Sequence, residues 1–207
     1  MKRFTTSAAP TFDPESMSAI VIEMSPLIKA KAYATQANGI TTFGEFSLLL
    51  YYEVMKLGAN YQRIDCVFDR YFEKRLKEGT RSGRGEDSQY PFEGYSTTIL
   101  FQMAESFLSN SDNKDKLNKY LARKLLELYQ NEQMLVVTYE NTSFTSKPAC
   151  TELDQYIPVR SCGAEEADQK LVRHALNLLR NGYKSILIRT IDTDVLNLLI
   201  SYFSQFE

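Results

Sequence analysis

The chain has 207 residues, of which 43% are apolar and 24% charged, and this suits one globular α/β domain with a buried core. A net charge of −2 argues against nucleic-acid binding through overall charge, and no run of about 18 apolar residues predicts a membrane-spanning helix. The three cysteines lack CxxC spacing and there is one histidine, so the sequence excludes a zinc site and predicts an intracellular, reducing compartment without disulfide-linked partners.

Short apolar runs and helical periodicities alternate along the chain after a loose polar lead-in over residues 1–17. The predicted strands are 18–22, 64–68, 134–139 and 185–190, with one more short strand inside the connection 141–163. The predicted helices are one capped by Thr41 or Thr42 and ending at Gly58, one over 96–108, one opening at Asn113, one over 165–180 and one after Asp192. Strands that alternate with helices predict a mostly parallel central sheet flanked by helices.

Two acidic clusters, Glu165-Glu166-Ala167-Asp168 and Asp192-Thr193-Asp194, are separated by a predicted helix and strand. Ligands of open α/β sheets bind beyond the carboxyl ends of the strands, and the predicted strands also end at Glu23 and Asp69. We therefore expect these carboxylates to meet at one edge. Crowded carboxylates repel one another, and proteins usually keep them to hold divalent cations, here two Mg²⁺ or Mn²⁺ ions.

Each cluster also has a simpler explanation. Acidic residues in a first helical turn favour the helix dipole, and Asp192 or Thr193 can be an N-cap. Within the first cluster, Glu165 and Asp168 share a helix face, whereas Glu166 and Asp168 can share an ion only if the helix begins near them. The sequence leaves both arrangements open.

A basic stretch follows the second predicted strand. Its cationic residues are Arg70, Lys74, Arg75, Lys77, Arg81 and Arg84. It either binds phosphates through its local field or is a solvated surface arm. The glycine-rich part lacks the GxxxxGK[ST] pattern, which disfavours a nucleotide-binding or phosphotransferase function. His174 has no cysteine or aspartate partner in evident reach and is interpreted as structural.

The order of the acidic motifs resembles that of the PIN-like nucleases, and most closely their flap-endonuclease branch. The motifs are Val67-Phe68-Asp69, the basic stretch, Glu166-Ala167-Asp168 and Asp192-Thr193-Asp194. The chain is also similar to uncharacterised animal PIN-like proteins associated with mobile elements. The resemblance spans about residues 18–203. It implies one three-layer α/β/α PIN-like domain over 18–207, with an arch-like basic segment at about 70–94. Because the chain stops soon after the helix that follows Asp194, it also implies a fold shortened at the C-terminus.

Carried over by position, the resemblance implies a Mg²⁺- or Mn²⁺-dependent nuclease that hydrolyses DNA or RNA phosphodiester bonds in the nucleus or cytoplasm. The implied catalytic residues are Asp69, Glu166, Asp168, Asp192 and Asp194, and the implied metal ligands add Glu23 and Glu165. The implied nucleic-acid-binding residues are Arg70, Lys74, Arg75, Lys77, Arg81 and Arg84. Glu23 stands where the family has aspartate. This difference, with the short C-terminus, supports the alternative of a catalytically degenerate PIN-like module that binds nucleic acid or protein.

Overall fold

A computed structural model describes residues 17–33, 39–69, 107–140, 142–146 and 167–202. These residues contain a five-stranded sheet of order β4-β3-β2-β1-β5. The strands are β1 (Ser18–Glu23), β2 (Arg63–Val67), β3 (Met134–Tyr139), β4 (Thr142–Thr145) and β5 (Ser185–Arg189). Every neighbouring pair is parallel except β3 and β4, which are antiparallel. The prediction of an α/β fold with a mostly parallel sheet is confirmed.

Helices cover both faces of the sheet. They are α1 (Met24–Tyr33), α2 (Phe43–Gly58), α3 (Ser111–Leu128), α4 (Ala167–Arg180) and α5 (Thr193–Ser201). Side chains alternate between the faces along each strand: Ile20 and Ile22 pack with α1, α2 and α3, whereas Ala19 and Val21 pack with α4 and α5. Two apolar cores result, one on each side of the sheet. No helix in the described ranges is long and apolar enough to cross a membrane.

The strand order creates a crevice between β1 and β5. From β1 the chain builds β2 and β3 on one side, and it returns later to place β5 on the other side of β1. Neighbouring strands whose connections leave in opposite directions open a crevice at their carboxyl ends, where α/β proteins commonly bind ligands. Here that point lies beside Glu23, the last residue of β1, and Thr190, which follows β5.

The ends of α2 follow from local chemistry. Thr42 is its N-cap: the Thr42 hydroxyl accepts from the backbone N–H of Glu45 at 3.2 Å, and the Glu45 carboxylate accepts from the backbone N–H of Thr42 at 3.0 Å. At the other end, a Cβ atom added to Gly58 would lie 2.1 Å from Cδ1 of buried Ile64. Glycine therefore lets α2 approach β2 closely.

Most predicted elements agree with the structure within two residues. The exception is α1, which the sequence did not predict. Helix α3 begins at Ser111, two residues before the predicted Asn113, with Asn110 as its N-cap. Gly182 closes α4 as expected, with a φ of 83°. The predicted helix over 96–108 lies almost wholly outside the described residues, as do the lead-in before Met17 and the basic stretch from Arg70.

Candidate functional site

Glu23 lies at the centre of the candidate site. As the last residue of β1 its side chain is 9% exposed, and its Oε2 accepts a 2.5 Å hydrogen bond from the hydroxyl of Thr190. Thr190 follows β5, the parallel neighbour of β1. This hydrogen bond therefore spans the crevice between the two strands and fixes the orientation of the Glu23 carboxylate.

Asp192 and Asp194 continue from the same point. The backbone N–H of Asp192 donates to Thr190 Oγ1 at 3.0 Å, and Asp192 is the N-cap of α5, with its Oδ1 accepting from the backbone N–H of Asp194 at 2.8 Å. Asp194 is exposed in the first turn of the helix. One oxygen of Asp192 thus caps the helix, which is the alternative role that the sequence suggested for this residue. Thr190 links this cap to Glu23.

Asp69 comes two residues after β2 and is held by two helices on the same face. Its Oδ2 accepts a 2.6 Å hydrogen bond from the hydroxyl of Ser25, in the first turn of α1. Its backbone carbonyl accepts from Nδ2 of buried Asn118, on α3, at 3.0 Å. These contacts fix both the carboxylate and the main chain of Asp69 near the end of β2.

Asp168 reaches the site from the other face, in the first turn of α4. The fully buried ammonium of Lys170 donates to the carbonyl of Phe68 at 3.4 Å, which anchors this end of α4 against the chain just before Asp69. Asp168 is therefore positioned at the same sheet edge as Glu23 and Asp69.

The electrostatics of Glu23 show that these carboxylates influence one another. Burial is the main cause of its raised pKa, and the hydrogen bond from Thr190 opposes that increase. Three neighbouring carboxylates raise the pKa of Glu23 further: Asp69, Asp168 and Asp192. Acids from three other segments are thus close enough to Glu23 to raise its pKa.

The described acids alone do not make a closed metal site. Among the described residues, no group of three histidine, cysteine, aspartate or glutamate side chains is arranged to hold a metal ion. Glu165 and Glu166 lie outside the described residues, so the two arrangements of the first acidic cluster stay open. The proposed nucleic-acid-binding residues also lie outside them: Arg70, Lys74, Arg75, Lys77, Arg81 and Arg84.

The structure reveals a buried polar network that the sequence analysis missed. His174 Nδ1 lies 2.6 Å from Asp65 Oδ2, and its Nε2 lies 2.8 Å from the hydroxyl of Thr138. Arg63 binds the same carboxylate through two hydrogen bonds of 2.6 and 2.8 Å. The inference that His174 lacks an aspartate partner was wrong, because Asp65 is distant in sequence and becomes its neighbour only when α4 packs on β2. The signal was available, since Asp65 is the only polar residue in the apolar run from Ile64 to Phe68.

This network serves to hold the fold together. Asp65 and His174 are both fully buried, so no substrate reaches them. Burial raises the pKa of Asp65, but the Arg63 charge and the bond to His174 outweigh it and hold that pKa below its usual range. Cys66, next in the strand, is a free buried thiol whose pKa is raised by burial, so it has the character of a small core residue.

No protein-family model, curated protein or solved structure matches this chain significantly.

Proposed function

We propose that the chain is a metal-dependent nuclease-like domain, of the PIN-like type, that hydrolyses phosphodiester bonds of DNA or RNA. The observation that supports this most is the convergence of Glu23, Asp69, Asp168 and Asp192 on the carboxyl edge of a parallel sheet, where three of them raise the pKa of the first. Proteins rarely tolerate such mutual repulsion without a cation to offset it.

The donors suit Mg²⁺ or Mn²⁺, because both ions prefer carboxylate and water oxygens. The ligands would be the four converging acids together with Glu165, Glu166 and Asp194. A cation held there would lower the pKa of a bound water and offset negative charge on the phosphate. The protein contributes orientation: Thr190 holds Glu23, and Ser25 holds Asp69. Each hydroxyl donates a hydrogen bond to one carboxylate and so limits the rotation of that carboxylate.

The decisive variant is Asp192→Asn combined with Asp194→Asn. Asparagine is as good an N-cap as aspartate, so α5 should keep its start while the site loses two negative charges. We expect Mn²⁺-dependent cleavage of labelled single-stranded, hairpin and flap substrates to fall by at least about a thousandfold. Glu127→Gln with Glu132→Gln is the matched control, since both side chains are exposed and lie towards the amino edge of the sheet. Persistent cleavage by the Asp192/Asp194 variant would refute the proposal.

A second candidate is a PIN-like module without catalytic activity that binds nucleic acid or protein. Two observations favour it: Glu23 uses one oxygen to accept from Thr190, and the described acids do not form a closed three-ligand group. It predicts binding without turnover. Incubating the wild-type protein with the same substrates and Mn²⁺ separates the two candidates, because turnover above that of the Asp192/Asp194 variant excludes the second.

A further inference from the structure

A cavity of about 730 Å³ opens beside the converging carboxylates. Its walls come from α1, from the region where α3 begins and from the loop before α5. Glu23 and Asp192 line it directly, and Asp69 is bonded to two further lining residues, Ser25 and Asn118. The cavity and the candidate site are therefore continuous, and the volume lies within the range of small-molecule pockets, about 300–1,000 Å³.

The cavity also carries cations on two helices. Lys29 lies on α1 and Lys114 on α3, and both line it together with the carboxylates. Lys31, two residues further along α1, forms a 2.9 Å ion pair with Glu53 instead. Lys29 has no such ion pair among the described residues, and it is exposed. Such a cavity suits an anionic ligand. The lysines would attract its negative charge, and a metal ion held by the carboxylates would offset the repulsion from the acids.

An aromatic ring completes the lining. Tyr33 lies four residues after Lys29, on the same face of α1, and is 56% exposed. Exposed aromatic rings next to basic groups are the usual platform for single-stranded nucleic acids, because any base can stack on them. A nucleotide offers both partners, a phosphate for the lysines and a base for the ring.

We propose that this cavity is a nucleotide subsite, in which Lys29 and Lys114 bind a backbone phosphate and Tyr33 stacks on the attached base. The inference rests on the proposed nuclease-like function and makes it more specific. The substrate is a single strand that passes between α1 and α3 and brings the neighbouring phosphodiester to Glu23, Asp69 and Asp192. An unpaired base suits this path better than an internal base of a duplex, because stacked neighbours cover both faces of the latter.

Binding without metal tests the charge component. Lys29→Ala with Lys114→Ala should weaken binding of a fluorescein-labelled oligothymidine hexamer, in EDTA and low salt, by about tenfold or more. The slope of log affinity against log salt should fall by about 0.7 to 1.4, which corresponds to one or two lost contacts with a single strand. The control is Lys56→Ala with Lys119→Ala, which removes the same charge from α2 and α3 outside the cavity lining. Lys29→Arg with Lys114→Arg should retain binding.

Cross-linking tests the position of the base. A hexamer that carries 5-iodouracil should cross-link to Tyr33 on irradiation, and Lys29→Ala with Lys114→Ala should remove that cross-link. Tyr52, which is 66% exposed on α2 and outside the cavity, is the control ring and should not react. Equal affinity in the lysine variant and its control, or equal labelling of Tyr33 and Tyr52, would overturn the subsite. Lysine-dependent binding without any Mn²⁺-dependent cleavage would leave the subsite standing and remove the nuclease proposal.

Discussion

The hydroxyl of Thr190 donates a 2.5 Å hydrogen bond to Glu23 across the crevice between β5 and β1. The same oxygen accepts from the backbone N–H of Asp192, so one threonine connects two acids of the site. Glu23 is one methylene longer than aspartate, and a longer side chain has more conformers to restrict. Thr190 supplies that restriction, which gives a glutamate at this position a defined orientation.

Replacing Thr190 by valine should therefore weaken metal binding more than it weakens the fold. Valine has nearly the same shape but cannot orient Glu23 or accept from Asp192. Loss of an outer-shell partner typically reduces metal affinity by about 10- to 100-fold, and we expect Mn²⁺ affinity in Thr190→Val to fall within that range. Thr190→Ser keeps the hydroxyl and should stay within about twofold of wild type. Calorimetric titration measures both, and equal affinities for the two variants would contradict the role assigned to Thr190.

Glu23→Gln should stabilise the metal-free protein at neutral pH. The folded-state pKa of Glu23 is raised, first by burial and then by neighbouring acids, so its contribution to stability is present below the unfolded pKa and lost as the pH rises through the folded pKa. Glutamine does not ionise, so it avoids this loss of stability, and its side-chain oxygen can still accept the hydrogen bond from Thr190. We expect the midpoint of thermal unfolding in EDTA at pH 7 to rise by about 2–4 °C, the change that about 1 kcal/mol produces in a chain of this size.

The pH and metal dependence of that gain provide the control. Below about pH 3 the side chain is largely neutral in folded and unfolded states alike, so the two proteins should unfold at nearly the same temperature. Millimolar Mn²⁺ should stabilise the wild type more than Glu23→Gln, because the cation offsets the repulsion that glutamine removes. An unchanged or lower midpoint for Glu23→Gln in EDTA at pH 7 would contradict a raised folded-state pKa of Glu23.

The parts of this fold that the sequence predicted are those set by local patterns. Three features follow from residues close together in the chain: the apolar run of β1, the Thr42 cap of α2, and the helical spacing of Leu117, Leu121 and Leu125 in α3. Because parallel strands bring their carboxyl ends to one edge, the convergence of Glu23 and Asp69 was also predictable.

What was missed depends on contacts between distant segments. Helix α1 begins directly after β1, without a loop between them, and carries Pro26 in its first turn. Proline is tolerated in a first turn, but in a sequence it usually indicates a break in a helix. The pairing of Asp65 with His174 requires α4 to lie over β2, and nothing local in either segment predicts it. Sequence periodicity identifies which face of a helix is buried, but not which strand that face will contact.

Gly58→Ala should destabilise the protein although alanine is the better helix former. The new Cβ would lie 2.6 Å from Cγ1 and 2.1 Å from Cδ1 of Ile64, which is fully buried on β2. Overpacking of this kind costs about 1–3 kcal/mol, more than the roughly 1 kcal/mol that helix propensity returns. Urea unfolding should show a net loss. Adding Ile64→Val removes Cδ1 and should make the Gly58→Ala step less costly, whereas additive effects of the two substitutions would argue against a direct clash.

Asp65→Asn should destabilise the protein more than Thr190→Val, Glu23→Gln or Gly58→Ala. It leaves the Arg63 guanidinium buried without its counter-charge and disturbs the bond to His174, and removal of one partner from a buried pair costs about 3–5 kcal/mol. Asp112→Asn is the matched control, since it breaks a partly exposed pair with Lys116 on α3 and should cost less than about 1 kcal/mol. Urea unfolding at pH 7 measures both.

The same carboxylate should govern the acid sensitivity of the fold. Because the folded-state pKa of Asp65 is lowered, its contribution is complete above the unfolded pKa of about 3.9 and is lost as the pH falls through the folded pKa. Wild type should therefore lose stability as the pH falls below about 4, and Asp65→Asn should lose less over the same range. Parallel acid limbs for the two proteins would mean that Asp65 titrates alike in folded and unfolded chains. Its bonds to Arg63 and His174 would then contribute nothing that depends on its charge.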